Sequence, residues 1–175
     1  MIAMLWSLGI RVSELTALKV RHFEPEHGNR IGLIRIRGKN KKQRALFVVD
    51  ALYDQLQAYL AHESSPKKKN AALFPIHTGK AISSNRVLKM IKECCLAAGI
   101  KQRITPHVLR HCFATEMYHS GVPLAAIQTM MGHCYKGETA IYVHVSDRLQ
   151  KKALSQVRIQ GGLPWYYQLT DSLSI

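Results

Sequence analysis

Thr105–His144 reads TPHVLRHCFATEMYHSGVPLAAIQTMMGHCYKGETAIYVH. Thr105 and Pro106 open a helix: a threonine hydroxyl is a good N-cap, and proline, which lacks an N–H, is favoured at the first helical position. Leu109, Phe113 and Met117 mark its buried side, and it runs to about Ser120, with Gly121 closing it. His107 and Arg110, three residues apart, are neighbours near the helix N-terminus, where partial positive charge and free N–H groups suit a phosphate. A further helix over about 123–131 ends at Gly132, so that His133 follows a helix C-terminal turn. Thr139 opens a short helix holding Ile141, Tyr142 and Val145. Histidine, arginine, histidine and tyrosine in that order have the make-up of a phosphodiester-attacking centre.

The remainder of the chain fits such a centre. Lys and Arg number 25 against 11 Asp and Glu, a formal charge of +14 in 175 residues. Self-repulsion of that size disfavours a compact state, so it signals a polyanionic partner, nucleic acid first. The plain alternative is a solvated basic surface. No apolar run approaches the roughly 18–20 residues that span a bilayer. The opening MIAMLWSLGI is short and lacks a basic flank, unlike a signal peptide, so a cytoplasmic location is expected. Cys94, Cys95, Cys112 and Cys134 form no CxxC pair and read as reduced and mostly buried; zinc held by Cys112, Cys134 and nearby histidines fits no usual ligand spacing.

Along the chain, residues 2–9 read as a short buried helix, and Ser13 as the cap of a second through SELTALKV. EPEHGNR (24–30) reads as a turn-rich connector. IGLIRIR (31–37) and RALFVV (44–49) alternate, with Ile34 and Ile36 on one face and Arg35 and Arg37 on the other. They flank GKNKKQ (38–43), making a β-hairpin whose tip carries Lys39, Lys41 and Lys42. Such a tip serves solubility or reaches a phosphate, and the local sequence does not choose. DALYDQLQAYLAHE (50–63) reads as a scaffold helix capped by Asp50, and LFP (73–75) as a short strand. Ser83 or Ser84 opens a helix to about Ala98 with Val87, Leu88, Ile91, Cys95 and Ala98 inward. Arg86 and Lys89 share its other face, which suits either DNA or solvent; with Lys80, Lys41 and Lys42 they form the candidate DNA-contacting set. An amphipathic helix at 147–158 and a tail complete the chain, whose class is α+β, mainly helical, with a small antiparallel sheet at one edge.

Breaking a DNA phosphodiester without metal takes a nucleophile, cations on the non-bridging oxygens and an acid for the departing alkoxide. Arginine suits the clamp because its fork meets two oxygens at once, and tyrosine forms a phosphoester that a DNA hydroxyl can reverse. GIRVSEL (9–15), GKNKKQR (38–44), HVLRHCFAT (107–115), MGH (131–133) and TAIYVH (139–144) together resemble the tyrosine recombinases, or phage integrases, nearest to their Xer-like branch. Each motif alone is weak; five in family order are specific.

The resemblance implies a catalytic domain over 1–160, with a tail at 161–175, that cleaves and rejoins DNA through a 3′-phosphotyrosyl bond. It implies no metal or nucleotide cofactor. Arg11 and Arg110 match the clamp arginines, and Lys39, aligned by Gly38 ahead of Lys41 and Lys42, matches the acid for the 5′-hydroxyl. His107 matches the histidine that assists proton transfer, His133 a phosphate hydrogen-bond donor and Tyr142 the nucleophile. Tyr135 does not fit the motif spacing, Tyr118 lies on the preceding helix and is expected to pack, Glu14 is expected to support the site through a basic or backbone partner, and His111 and His144 to be structural. Cys134-Tyr135 and Asn40 depart from the usual pattern. Family members also carry a core-binding domain and further helices before GIRVSEL, so the chain reads as an N-terminally truncated catalytic domain with weak DNA affinity of its own. Full-length members form tetramers on paired double-stranded DNA sites, and the alternatives are a catalytically incompetent DNA-binding remnant and a type IB topoisomerase-like enzyme.

Overall fold

The computed structural model describes residues 1–26, 30–38 and 43–132. Helix α1 spans Ile2–Leu8 and stops at Gly9, whose φ of 58° is a left-handed C-cap. Helix α2 follows at Val12–Thr16, shorter than SELTALKV suggests and capped at Arg11 rather than Ser13. The cap shifts because the Glu14 carboxylate accepts the backbone N–H of Arg11 at 2.8 Å. The helix ends early because the next backbone groups are taken by another segment: Leu73 N–H donates to the Leu18 carbonyl at 2.8 Å and Val20 N–H to that of Ala71 at 3.1 Å. The expected strand at 73–75 is thereby reduced to two isolated bridges, Lys19 with Ala72 and Pro75 with Ala81.

After a 3-10 turn at Val20–His22 come β1 (Phe23–Pro25), β2 (Ile31–Arg37) and β3 (Gln43–Val49). They form an antiparallel sheet in the order β1-β2-β3. The hairpin is as expected, but β1 includes Glu24 and Pro25 of the expected connector. Proline is tolerated there because β1 is an edge strand. Ile34 lies opposite Leu46 and Ile36 opposite Arg44. Their face is the core face: Ile34, Ile36, Leu46 and Val48 are all buried. On the outer face Arg35 forks onto Glu24 of β1, with Nε at 2.7 Å and Nη2 at 2.9 Å.

Helix α3 covers Asp50–Ala61, with Val49 rather than Asp50 at the cap position. Strand pairing extends to that point, since Asp50 N–H donates to the Arg30 carbonyl at 3.1 Å, and Asp50 takes a φ of 53° at the junction. Helices α4 (Ser84–Ala97), α5 (Pro106–His119) and α6 (Leu124–Met131) complete the described elements. Ser83 caps α4 by accepting from Arg86 N–H, and Thr105 caps α5 by accepting from Val108 N–H at 3.3 Å. On α4 only a narrow stripe turns inward: Val87 and Ile91 are buried, whereas Leu88 and Ala98, expected inside, are exposed. Cys94, Cys95 and Cys112, expected mostly buried, are half-buried, and Tyr118 of α5, expected to pack, is exposed.

Helix α1 packs on α5 and α3, α5 on α6, α2 on α4, and β3 on α3. Met4, Leu5 and Leu8 of α1 join Leu109, Phe113 and Met117 of α5, Ile127 and Met130 of α6 and the inner face of the sheet in one buried cluster. No helix among the described residues is long and apolar enough to cross a membrane. The helices expected from Thr139 and over 147–158, the tail at 161–175, and Cys134, Tyr135 and His144 lie outside the described residues.

Candidate active site

Arg11 enters the site because the α1–α2 turn places it there. Gly9 reverses the chain in a conformation that favours glycine, and Arg11 takes the cap position of α2. Its side chain is 38% exposed, so the guanidinium reaches solvent while its backbone is fixed. Arg110 arrives from the opposite direction, on the second turn of α5, and is buried. Its Nη1 donates to the Gly9 carbonyl and its Nη2 to the Met131 carbonyl at 2.6 Å. One guanidinium thus joins the end of α1, the body of α5 and the end of α6. The carbonyls at those helix ends carry partial negative charge, which suits a cation.

Glu14, buried on α2, sits among the arginines and has the partners expected of it. It accepts from the Arg11 guanidinium at 3.3 Å, and from Nη1 and Nη2 of Arg44 at 2.8 Å each. Burial alone would raise its carboxyl pKa. Hydrogen bonds from Arg44 and the Arg11 backbone, with the charges of both guanidiniums, outweigh that and hold it below its ordinary value. Arg110 is lowered to about 10, first by burial and then by the Arg11 and Arg44 cations, with Glu14 opposing. It remains a cation at neutral pH. Arg11 and Arg44 pair with Glu14, while Arg110 is held by the Gly9 and Met131 carbonyls; three guanidiniums against one carboxylate leave an excess of two positive charges in this cluster. A desolvated cluster with that excess is complementary to an anion with several acceptor oxygens.

Arg11 and Arg110 are 99 residues apart in sequence, yet Arg110 donates to the carbonyl of Gly9, two residues before Arg11. His107 lies one turn before Arg110 on α5, but it is exposed where Arg110 is buried, so the two do not share a burial face. Lys80, Arg86 and Lys89 are exposed, and Lys89 faces Glu93 at 3.7 Å one helical turn on. Lys39, Lys41, Lys42, His133 and Tyr142 lie outside the described residues. No group of three or more His, Cys, Asp or Glu that could hold a metal occurs among the described residues.

Sequence reasoning passed over Arg44. It ends the GKNKKQR motif, yet no role attaches to it from the spacing alone. A signal was present: Arg44 shares strand parity with Leu46 and Val48, so its side chain points to the core face. A charged residue at an inward position needs a buried partner, and Glu14 is that partner.

With that geometry in view, the comparison with known proteins is specific. The phage integrase family profile matches residues 1–148. The chain belongs to the phage integrase family. The tyrosine recombinase XerD of Staphylococcus aureus (strain Mu50) is 37% identical over 160 residues, covering 89% of this chain and 52% of that protein. The tyrosine recombinase XerC of Chlamydia pneumoniae is 34% identical over 149 residues, covering 84% and 46%. The chain spans about half the length of the curated relatives it matches. Among solved structures, the XerA recombinase superposes with a TM-score of 0.65 at 28% identity, covering 90% of this chain and 54% of that one. The XerH site-specific recombinase bound to its difH substrate, a pre-cleavage complex, gives 0.64 at 27% identity, covering 86% and 40%. These matches place the chain in the Xer-like branch of the tyrosine recombinases and its α+β fold with their catalytic domains.

Proposed function

We propose that this phage integrase domain cleaves and rejoins double-stranded DNA through Tyr142, with residues 1–160 as the catalytic unit. The pairing of Arg11 and Arg44 with Glu14, with Arg110 bound to the carbonyl of Gly9 two residues before Arg11, carries the reading. Its excess positive charge suits the two non-bridging oxygens of a phosphodiester, which gain charge in the transition state. Arg11 and Arg110 hold those oxygens. The Tyr142 hydroxyl attacks phosphorus, forming a phosphotyrosyl bond as the bond to the 5′-oxygen breaks. The phenol proton passes toward His107, and Lys39 donates a proton to the departing 5′-oxygen. His133 donates a hydrogen bond to a phosphate oxygen. A DNA 5′-hydroxyl then reverses the step on the same or another strand. Support for DNA as the partner comes from the charge of +14 and from the likeness to XerH, which is bound to difH substrate. Tetrameric assembly on paired sites and a cytoplasmic setting complete the proposal.

The test uses nicked duplexes in which a short 5′-hydroxyl fragment diffuses away after cleavage, so that a covalent protein–DNA adduct accumulates. The expected result is an adduct with the natural chain and none with Tyr142→Phe. An adduct that survives Tyr142→Phe would remove Tyr142 as the nucleophile. No adduct across a panel of duplexes that the protein binds would leave a DNA-binding domain without cleavage. Relaxation of supercoils without sequence preference would point instead to topoisomerase-like action.

A further inference from the structure

Arg44 and Arg11 compete for one carboxylate, and the geometry favours Arg44. Arg44 is 13% exposed and meets Glu14 in a bidentate fork, both contacts at 2.8 Å. Arg11 keeps a single guanidinium contact of 3.3 Å to the same group and is 38% exposed. A fork of that kind is the stronger arrangement, because two charge-assisted bonds run in parallel. Nε of Arg44 donates at 2.8 Å to the Met130 carbonyl at the end of α6, which fixes the fork's direction. Gly132 contributes as well. Its φ is 70°, and a Cβ there would lie 2.7 Å from Nη1 of Arg44, so the MGH motif supplies the space the guanidinium occupies. The carbonyl next along, that of Met131, is held by Arg110.

From this we infer that Arg44 is a positioning residue that keeps Glu14 from neutralising Arg11. The inference rests on the proposed use of Arg11 and Arg110 as phosphate clamps. With each carboxylate oxygen taking a 2.8 Å bond from Arg44, Glu14 holds the Arg11 guanidinium only by the single 3.3 Å contact, and the rest of that guanidinium remains available to a substrate phosphate. Without Arg44, Glu14 turns its full charge to Arg11, and the clamp loses the cation that the transition state needs. Lysine cannot replace Arg44, since one ammonium cannot meet both carboxylate oxygens and the Met130 carbonyl in the same fixed geometry.

This role differs from simple support of the fold in one respect: removing the carboxylate should compensate for removing Arg44. Single-turnover adduct formation on the nicked duplex is compared for the natural chain, Arg44→Met and Arg44→Met/Glu14→Gln. Arg44→Met should slow cleavage by about 100-fold or more, while duplex affinity changes by less than about tenfold. The double variant should recover at least about tenfold of that rate. If Arg44→Met melts below the assay temperature, Arg44→Lys takes its place, with a loss of at least about tenfold and the same recovery on adding Glu14→Gln. A folded double variant no faster than its parent overturns the inference.

A second readout does not depend on cleavage. Phenylglyoxal modifies accessible guanidiniums, and its rate at Arg11 is followed by mass spectrometry of the full chain. Arg11 should react at least about threefold more slowly in Arg44→Met, because a closer carboxylate shields it, and regain its rate in the double variant. An unchanged rate at Arg11 in Arg44→Met overturns the inference. Absence of any adduct from the natural chain would sink the cleavage reading, and the modification rates would then decide the role of Arg44 alone.

Discussion

Phe113 lies so close over Gly9 that a Cβ added to the glycine would sit 2.8 Å from its Cγ and closer still to Cδ1. The contact joins the end of α1 to the middle of α5, and Arg110, three residues before Phe113, donates to the Gly9 carbonyl. Core packing and clamp position are therefore set at one point. Gly9→Ala meets two obstacles, a φ of 58° and the ring of Phe113. The cost should be about 2–4 kcal/mol, combining backbone strain with overpacking. Denaturant unfolding measures it. Adding Phe113→Leu should recover part of that stability; a Gly9→Ala change within about 0.5 kcal/mol would mean the contact does not constrain the turn.

Glu14 makes stability depend on pH in a definite direction. Its folded carboxyl lies below the ordinary value of 4.5, so the folded state binds fewer protons than the unfolded one. Its contribution is present above the unfolded pKa and is lost as pH falls through the folded one. The natural chain should lose stability below about pH 4.5, and Glu14→Gln should show a flatter profile over the same window. Urea midpoints between pH 3 and 7 test this. Parallel profiles for the two chains would show that other acids control the transition.

Helix α5 was legible because its signals are local: Thr105, Pro106 and the Leu109, Phe113, Met117 stripe specify it within a few turns. The hairpin was legible for the same reason, since β2 and β3 each alternate. What stayed hidden depends on distant partners. The end of α2 is set by backbone pairing with residues 71 and 73, and β1 exists only because Leu33 and Gly32 pair with Glu24 and Pro25. Motif resemblance selected Arg11 and Arg110 as a pair, yet their juxtaposition follows from α1 packing on α5. Strand parity turns Arg44 toward the core, but its partners, Glu14 and the Met130 carbonyl, are 30 and 86 residues away, so its role was not legible locally.

Arg110 distinguishes a guanidinium from a mere positive charge. It spans the Gly9 and Met131 carbonyls from two nitrogens. Arg110→Lys keeps the charge but cannot reach both with the same rigidity. Adduct formation should fall by about 100-fold or more, with duplex affinity changed by less than about tenfold. Equal reductions in rate and affinity would show that Arg110 contributes only general attraction to DNA.

The exposed face of α4 is one candidate for DNA contact. Arg86 and Lys89 are exposed on α4, and the proposed function makes phosphate contact by them testable. Removing one cation that neutralises a phosphate should lower the slope of log K against log salt by about 0.9. Arg86→Ala should therefore reduce the slope by about one, with a similar fractional effect on unrelated duplexes because a bond to phosphate carries no sequence information. Lys89→Ala should have the smaller effect, since Glu93 lies 3.7 Å from its ammonium and competes with phosphate for it. Fluorescence anisotropy at several salt concentrations gives both slopes. If neither variant changes its slope, the basic face of α4 is a solvated surface and the duplex lies elsewhere.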